Sequence, residues 1–382
     1  MTTTYLMGAG ASAESLPVVN GITKALSDCI EQVDLMRVKR KEPFPEHITY
    51  RFFPVDVTRE SANRDFMLRQ SEFMKLKHVF KGLEKIATNH PSVDTYARKL
   101  FLSDSDDSEK RLHVFKCDLV LFFSFLELIR VPDKRYDLWL ASILRRENDQ
   151  LQLPNDVNII SWNYDSQIEK VFCQYLESSN QDQELNEALD LLQLFDGPGA
   201  GRYVDHSRSC YYKINGTARF YHPNPKETSN SRLKSSFRRE VGYDQILFGQ
   251  LVKDYEKAIQ SFKPIPADGL FGKEDYEPDD VLPLLSFAWE EDRNEIDNIH
   301  PILRQTSRLI VIGYSFPDFN RSIDVELFEG TLLNELWIVT PESEVRVRER
   351  LNELFDETTS NTPTIKVLAP DKFPIHNTFR ST

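Results

Sequence analysis

The strongest constraint in this sequence is a recurring unit. A short apolar, β-favouring run leads into a turn of glycine or small polar residues, and a helical pattern follows. The chain opens this way: Tyr5, Leu6 and Met7 run into GAGAS at Gly8 to Ser12, and Ile22, Leu26, Cys29, Ile30 and Val33 then recur at helical spacing from near Asn20. The second half repeats the pattern. Val157 to Trp162 precedes Asn163-Tyr164-Asp165 and an amphipathic helix over 168–176, and a strand over 209–214 ends at Asn215-Gly216-Thr217. Arg308 to Ile312 and Glu335 to Thr340 read as buried strands, followed by helices over 322–328 and 342–355, and Ile365 to Leu368 reads as a last strand.

Strands that alternate with helices at both ends predict one α/β fold: a Rossmann-like parallel sheet with helices on both faces. Residues 21–150 read as almost wholly helical, through Val79, Phe80, Leu83, Ile86 and Ala87, then 119–131 and 138–144. The expected organisation is therefore a sheet domain from 1–20 and 151–382, with 21–150 as a large helical insertion. Pro43 to Val57 and Gly197 to Gly201 read as irregular segments.

Composition narrows the function classes. The 382 residues are 40% hydrophobic and 28% charged, which suits a globular chain and excludes wholesale disorder. Lys plus Arg is 47 and Asp plus Glu is 60, so the net charge of −13 gives no general affinity for nucleic acid. The most apolar stretch, Leu119 to Ile129, is shorter than the roughly 20 residues a membrane span needs, and it contains Glu127. No basic, apolar leader is seen at the start. Cys29, Cys117, Cys173 and Cys210 are far apart in sequence, so neither a CxxC pair nor a zinc ribbon is readable. A reduced, cytoplasmic protein without a metal is expected.

Ligands of open parallel sheets bind beyond the carboxyl ends of the strands, so the residues just after each strand are the candidates. Gly8, Ala9, Gly10, Ala11 and Ser12 form a shortened dinucleotide fingerprint, in which glycines let a phosphate approach backbone N–H groups; a plain strand-to-helix turn is the alternative. Asn163 and Asp165 are polar groups at the end of an apolar strand, though Asp165 can equally cap a helix. Asn215-Gly216 is by itself a hairpin signal. Gly313, Tyr314 and Ser315 suit a diphosphate or ribose contact, and Thr340 and Glu342 a ribose hydroxyl.

Taken in order, these motifs resemble the Sir2 family, over roughly residues 3–20 and 155–345. The likeness is greater to the Sir2-like NADases of bacterial anti-phage defence than to sirtuin deacetylases. It rests on Gly8-Ala9-Gly10, Leu16-Pro17, Trp162-Asn163-Tyr164-Asp165 and Ile312-Gly313-Tyr314-Ser315. The resemblance implies a sirtuin-like NAD-binding domain and cleavage of NAD⁺ to ADP-ribose and nicotinamide. It further implies an enzyme held in check by a partner or by assembly. A chain of this size without a fused effector resembles the Sir2 subunit of Sir2–HerA systems. A homo-oligomer and a HerA-type ATPase partner are then expected, with nucleic acid reached only through that partner.

The chain departs from sirtuins in three places. It lacks the cysteine pairs of the zinc ribbon; Leu16 to Ile22 replaces the GIPDFR segment; and Asn215 stands where the family has its catalytic His. His206 and His222 flank that position and offer an imidazole in its place. Loss of the His does not remove nicotinamide cleavage, because nicotinamide leaves as a neutral molecule and needs no general acid. Asn163 then positions water and nicotinamide, and Asp165 orients it or balances charge. Two other readings stand beside this one. Asn215 favours a catalytically weak NAD or ADP-ribose sensor or scaffold. The basic stretch from Lys226 to Arg239 suggests, more weakly, a nuclease or DNA-associated subunit.

Overall fold

The computed structural model describes residues 2–38, 59–105, 107–147, 150–176, 190–195, 205, 207–221, 245–263, 277, 280–290, 294–358, 363–371 and 373–374. The strands are β1 (Thr3–Met7), β2 (Arg145–Glu147), β3 (Gln150–Gln152), β4 (Val157–Ser161), β5 (Leu194–Phe195), β6 (Tyr211–Lys213), β7 (Gly216–Tyr221), β8 (Leu282–Leu285), β9 (Arg308–Ile312), β10 (Glu335–Val339) and β11 (Thr364–Leu368). Seven of them form one sheet in the order β11-β10-β9-β1-β4-β6-β5, and every pairing in it is parallel. The α/β class and the Rossmann-like parallel sheet expected from the sequence are present.

Strand alternation explains how both faces are buried. Tyr5, Met7, Ile159, Ile310 and Ile312 point to one face, where α5 (Lys134–Ile143) and α6 (Gln167–Cys173) supply Trp139, Leu140, Ile168 and Phe172. Leu6, Ile160, Leu309, Val311 and Ile338 point to the other. There α8 (Asn294–Gln305), α9 (Arg321–Phe328) and α10 (Glu344–Thr358) supply Ile299, Leu303, Leu327, Leu351 and Phe355.

A third core is built by α1 (Ile22–Val38), α2 (Arg59–Asn89), α3 (Val93–Phe101), α4 (Ser108–Ile129) and α7 (Gln245–Gln260). Every residue of α4 from Leu119 to Leu128 is buried, as expected of a helix apolar on all sides. This core draws on both sides of position 150: Ala218 and Phe220 of β7, Phe248 and Leu251 of α7, and Leu285 of β8 join it.

Three local expectations are corrected. Helix α6 is not amphipathic, because all seven of its residues are buried; its polar residues are enclosed by partners from other elements. Residues 145–147, within the stretch expected to be helical, form β2, which pairs antiparallel with β3. Asn215-Gly216 is not a hairpin turn. β6 belongs to the parallel sheet, whereas β7 pairs with β8, so the dipeptide is the joint between two sheets and Gly216 has a φ of 65°.

Register aligns the ends of the central strands. Lys213 pairs with Ser161, Ser161 with Met7, Met7 with Ile312, and Ile312 with Val339. The turns after these five strands therefore leave one edge of the sheet from a single row. The connection direction reverses between β1, whose next sheet neighbour is β4, and β9, whose next is β10, which makes β1/β9 the switch point of the sheet.

Candidate functional site

At the switch point the turns after β1 and β9 are joined through their backbones. The Gly8 amide donates to Ile312 O at 2.9 Å, Gly10 N to Gly313 O at 3.0 Å, and Gly313 N to Val339 O at 3.1 Å. A Cβ at Gly8 would lie 2.6 Å from Gly313 O, and one at Gly10 would lie 2.7 Å from the Gly313 Cα. Gly313, at φ +67°, would overlap Ala11 N and the Gly10 carbonyl carbon if it carried a side chain. The glycines of GAGAS thus serve a backbone crossing. The Gly8, Gly10 and Ala11 amides are engaged with carbonyls, while Ala9 forms the exposed tip.

Behind this crossing, residues from three elements meet at the Ser12 hydroxyl. Ser12 Oγ donates to Asp165 Oδ2 at 2.8 Å, Asn163 Nδ2 donates to Ser12 Oγ at 3.2 Å, and the Tyr136 hydroxyl is 3.0 Å from the same oxygen. The Asn163 amide nitrogen is thus engaged with Ser12, and its side chain is buried. Asp165 Oδ1 accepts the Gln167 amide at 3.1 Å, so the carboxyl caps the start of α6 as well as joining the cluster.

Asp165 is buried beside a set of charges that also lies out of water. Lys213 donates to the Asp165 main-chain oxygen and pairs with Glu169 Oε1 at 3.2 Å. Arg219 Nη2 lies 3.6 Å from Glu169, and Lys170 pairs with Glu127 Oε2 at 3.0 Å. Burial is the largest influence on the Asp165 carboxyl, raising its pKa to about 6; Lys213 and the Ser12 hydroxyl oppose this, and Glu127 adds to it.

The tips of the flanking turns are held apart from this cluster. Trp162 stacks on Tyr314 at 5.1 Å between ring centroids and 8° between planes. The Tyr314 hydroxyl donates to Asp324 at 2.9 Å, and burial raises the Asp324 carboxyl to about 8. Tyr164 points away from the sheet and donates to Asp94 Oδ1 of α3 at 2.6 Å. Asn215 is fixed at both ends of its amide: Nδ2 donates to Trp162 O at 3.0 Å, and Oδ1 accepts the Ala288 amide at 3.1 Å. It clips the turn after β4 to the segment after β8 and presents no free group as a base. His206 lies outside the described residues, as do His222 and the stretch 226–239.

Ser315, Thr340 and Glu342 meet elsewhere on the same edge. They line a small cleft with Tyr314 and Arg350, in which Arg350 pairs with Glu342 at 3.1 Å and donates to Ser315 O. The sequence-derived residues therefore fall into two groups. Ser12, Asn163 and Asp165 form a buried polar cluster, and Ser315, Thr340 and Glu342 line a small cleft beside Tyr314.

Sequence reasoning missed Tyr136, Arg135, Lys213, Glu127 and Glu169. Arg135 donates to Gly10 O at 3.2 Å and Ala11 O at 3.3 Å, and packs over the Phe373 ring. Asp133 caps α5 by accepting the Arg135 amide, and its own amide donates to Gln167 Oε1 at 2.6 Å, which ties the start of α5 to α6. The readable signal was Asp133 as a helix cap, which fixes the first turn of α5. The partners of that turn are too distant in sequence to infer. Among the described residues no group of three or more His, Cys, Asp or Glu side chains is placed to hold a metal ion, and no helix is long and apolar enough to cross a membrane. No family model matches this chain, and no curated protein matches it either.

Proposed function

We propose that this chain is a sirtuin-like NAD⁺ hydrolase that cleaves the nicotinamide–ribose bond. The observation that carries the reading is the Ser12–Asn163–Asp165 cluster. An amide and a carboxylate from the end of one strand are locked to the turn of its neighbour, at the carboxyl edge and beside the switch point.

The chemistry asks little of an acid. The C–N bond breaks with its electron pair going to the nicotinamide nitrogen, which neutralises the positive ring, and charge develops on the ribose. Asn163 then orients water toward the anomeric carbon. Asp165, an anion at neutral pH in a site of low dielectric, favours the developing positive charge. Water adds, its proton is released, and ADP-ribose and nicotinamide leave. Ser315, Thr340 and Glu342 on the same edge are assigned a diphosphate or ribose contact, with Glu342 accepting from a ribose hydroxyl. The Sir2 resemblance adds restraint of the activity by assembly, through a homo-oligomer and a HerA-type ATPase, in anti-phage defence.

The clipped amide of Asn215 favours a second reading, an NAD or ADP-ribose sensor, because no free base stands at the sirtuin His position. One experiment separates the two: chromatographic assay of nicotinamide from NAD⁺ by the purified chain, alone and with the product of the neighbouring gene. The hydrolase reading expects nicotinamide and ADP-ribose in equal amounts, and their loss in Asn163→Ala. NAD⁺ binding without turnover under both conditions would establish the sensor.

A further inference from the structure

We propose that Tyr136, delivered by the first turn of α5, is a positioning residue of the candidate site: its hydroxyl fixes the direction of the Ser12 proton and thereby the setting of Asn163 and Asp165. The catalytic part of this proposal rests on the hydrolase reading; the positioning part does not.

The argument begins with counting donors. Asn163 Nδ2 is a donor only, and it donates to Ser12 Oγ at 3.2 Å. An ionised Asp165 is an acceptor only. The Ser12 proton therefore goes to Asp165, 2.8 Å away, and the Tyr136 proton goes to Ser12, 3.0 Å away. The result is a one-way chain from Tyr136 through Ser12 to Asp165, with Asn163 donating to the same Ser12 oxygen. Burial holds the Tyr136 phenol well above its usual pKa, so it stays a neutral donor. Donors arranged head to tail polarise one another, so removal of the first weakens the bond at the last.

The place of Tyr136 is fixed independently of its hydroxyl. Its ring meets Phe373 edge-on at 5.3 Å, and the residue is fully buried. Arg135, its neighbour, holds the Gly10 and Ala11 carbonyls. One helical turn thus grips both the backbone of GAGAS and the side chain at its end.

Other groups act on Asp165 from every side: Lys213 of β6, Glu127 of α4, and Tyr211 of β6. Tyr136→Phe leaves all of them, and the ring packing, in place. The test compares Tyr136→Phe, Ser12→Ala and the double variant in two measurements. The first is the pH dependence of nicotinamide release. The second is infrared titration of the Asp165 carboxyl, assigned by its absence in Asp165→Asn, which needs no turnover.

In Tyr136→Phe the carboxyl midpoint and the acid limb should both rise by about one pH unit. Plateau kcat should fall roughly tenfold, with KM for NAD⁺ changed less than about twofold. Ser12→Ala, which removes the bond itself, should give at least as large a shift, and the double variant no more than Ser12→Ala alone. A carboxyl midpoint unmoved in Tyr136→Phe, or shifts that add in the double variant, would overturn the positioning role. Absence of NAD⁺ cleavage by the wild type, both alone and with the product of the neighbouring gene, with the midpoint still moving, would sink the hydrolase reading and leave the positioning role standing.

Discussion

The Gly10 amide donates to Gly313 O at 3.0 Å, and this bond makes the turn after the first strand and the turn after β9 one piece of backbone. Gly313 adopts a φ of +67°, where an L side chain is strained, and a Cβ there would meet the backbone of Gly10 and Ala11. Gly313→Ala should therefore destabilise the fold by more than about 2 kcal/mol in urea unfolding, well beyond an ordinary glycine-to-alanine change. A loss under about 0.5 kcal/mol would mean that the crossing relaxes freely.

The raised pKa of Asp165 ties activity and stability together with opposite signs. The hydrolase needs the carboxylate, so nicotinamide release should rise through a midpoint near pH 6 and level off above it. Stability runs the other way. The folded-state pKa lies above the ordinary 3.8, so the folded chain binds the extra proton between these values. The contribution is fully present below about 3.8 and is lost as pH rises through about 6, amounting to roughly 3 kcal/mol. Asp165→Asn should then be inactive yet melt higher than wild type at pH 8, with the gain gone near pH 4. A lower melting temperature for the variant at pH 8 would show that ionised Asp165 stabilises the fold.

The carboxyl-edge turns were legible because each is announced locally. A β-favouring run ends, a polar or glycine pair follows, and the parallel sheet forces those pairs to one edge. Register then aligns Lys213, Ser161, Met7, Ile312 and Val339 without further information. What could not be read is whatever depends on contacts between distant segments. Tyr136 lies in a stretch whose apolar pattern says only that the helix is buried. Lys213 reads as one more strand residue, yet its partners are Glu169 and the Asp165 backbone. The GAGAS glycines were read as an approach for phosphate, since sequence carries no trace of Gly313 lying against them.

Asn215 tests how far the family likeness extends to side-chain roles. Its amide donates to Trp162 O and accepts from Ala288 N. A neutral imidazole has one donor and one acceptor nitrogen, but in a ring of different reach, so Asn215→His should break at least one of these bonds. The expected loss is about 1–2 kcal/mol for the unmatched buried group, together with reduced nicotinamide release as the Trp162 turn loosens. Undiminished stability with increased release would instead show that the position accepts the sirtuin His and its role.

Glu127 carries the site into the helical core, and its replacement should separate charge from packing. On α4, it pairs with Lys170 at 3.0 Å through Oε2 and accepts the Ser166 amide at 2.8 Å through Oε1. Glu127→Gln keeps an acceptor for Ser166 and leaves the Lys170 charge buried without its carboxylate. Breaking a buried pair on one side costs about 3–5 kcal/mol, whereas removing both charges costs far less. Urea unfolding should accordingly show a large loss for Glu127→Gln, and recovery of most of it in Glu127→Gln combined with Lys170→Met. The charge of Glu127 also raises the Asp165 carboxyl from a distance. Its removal should move the acid limb of nicotinamide release to lower pH, opposite to the shift expected for Tyr136→Phe. A limb that stays in place while stability falls would confine Glu127 to holding α4 against α6.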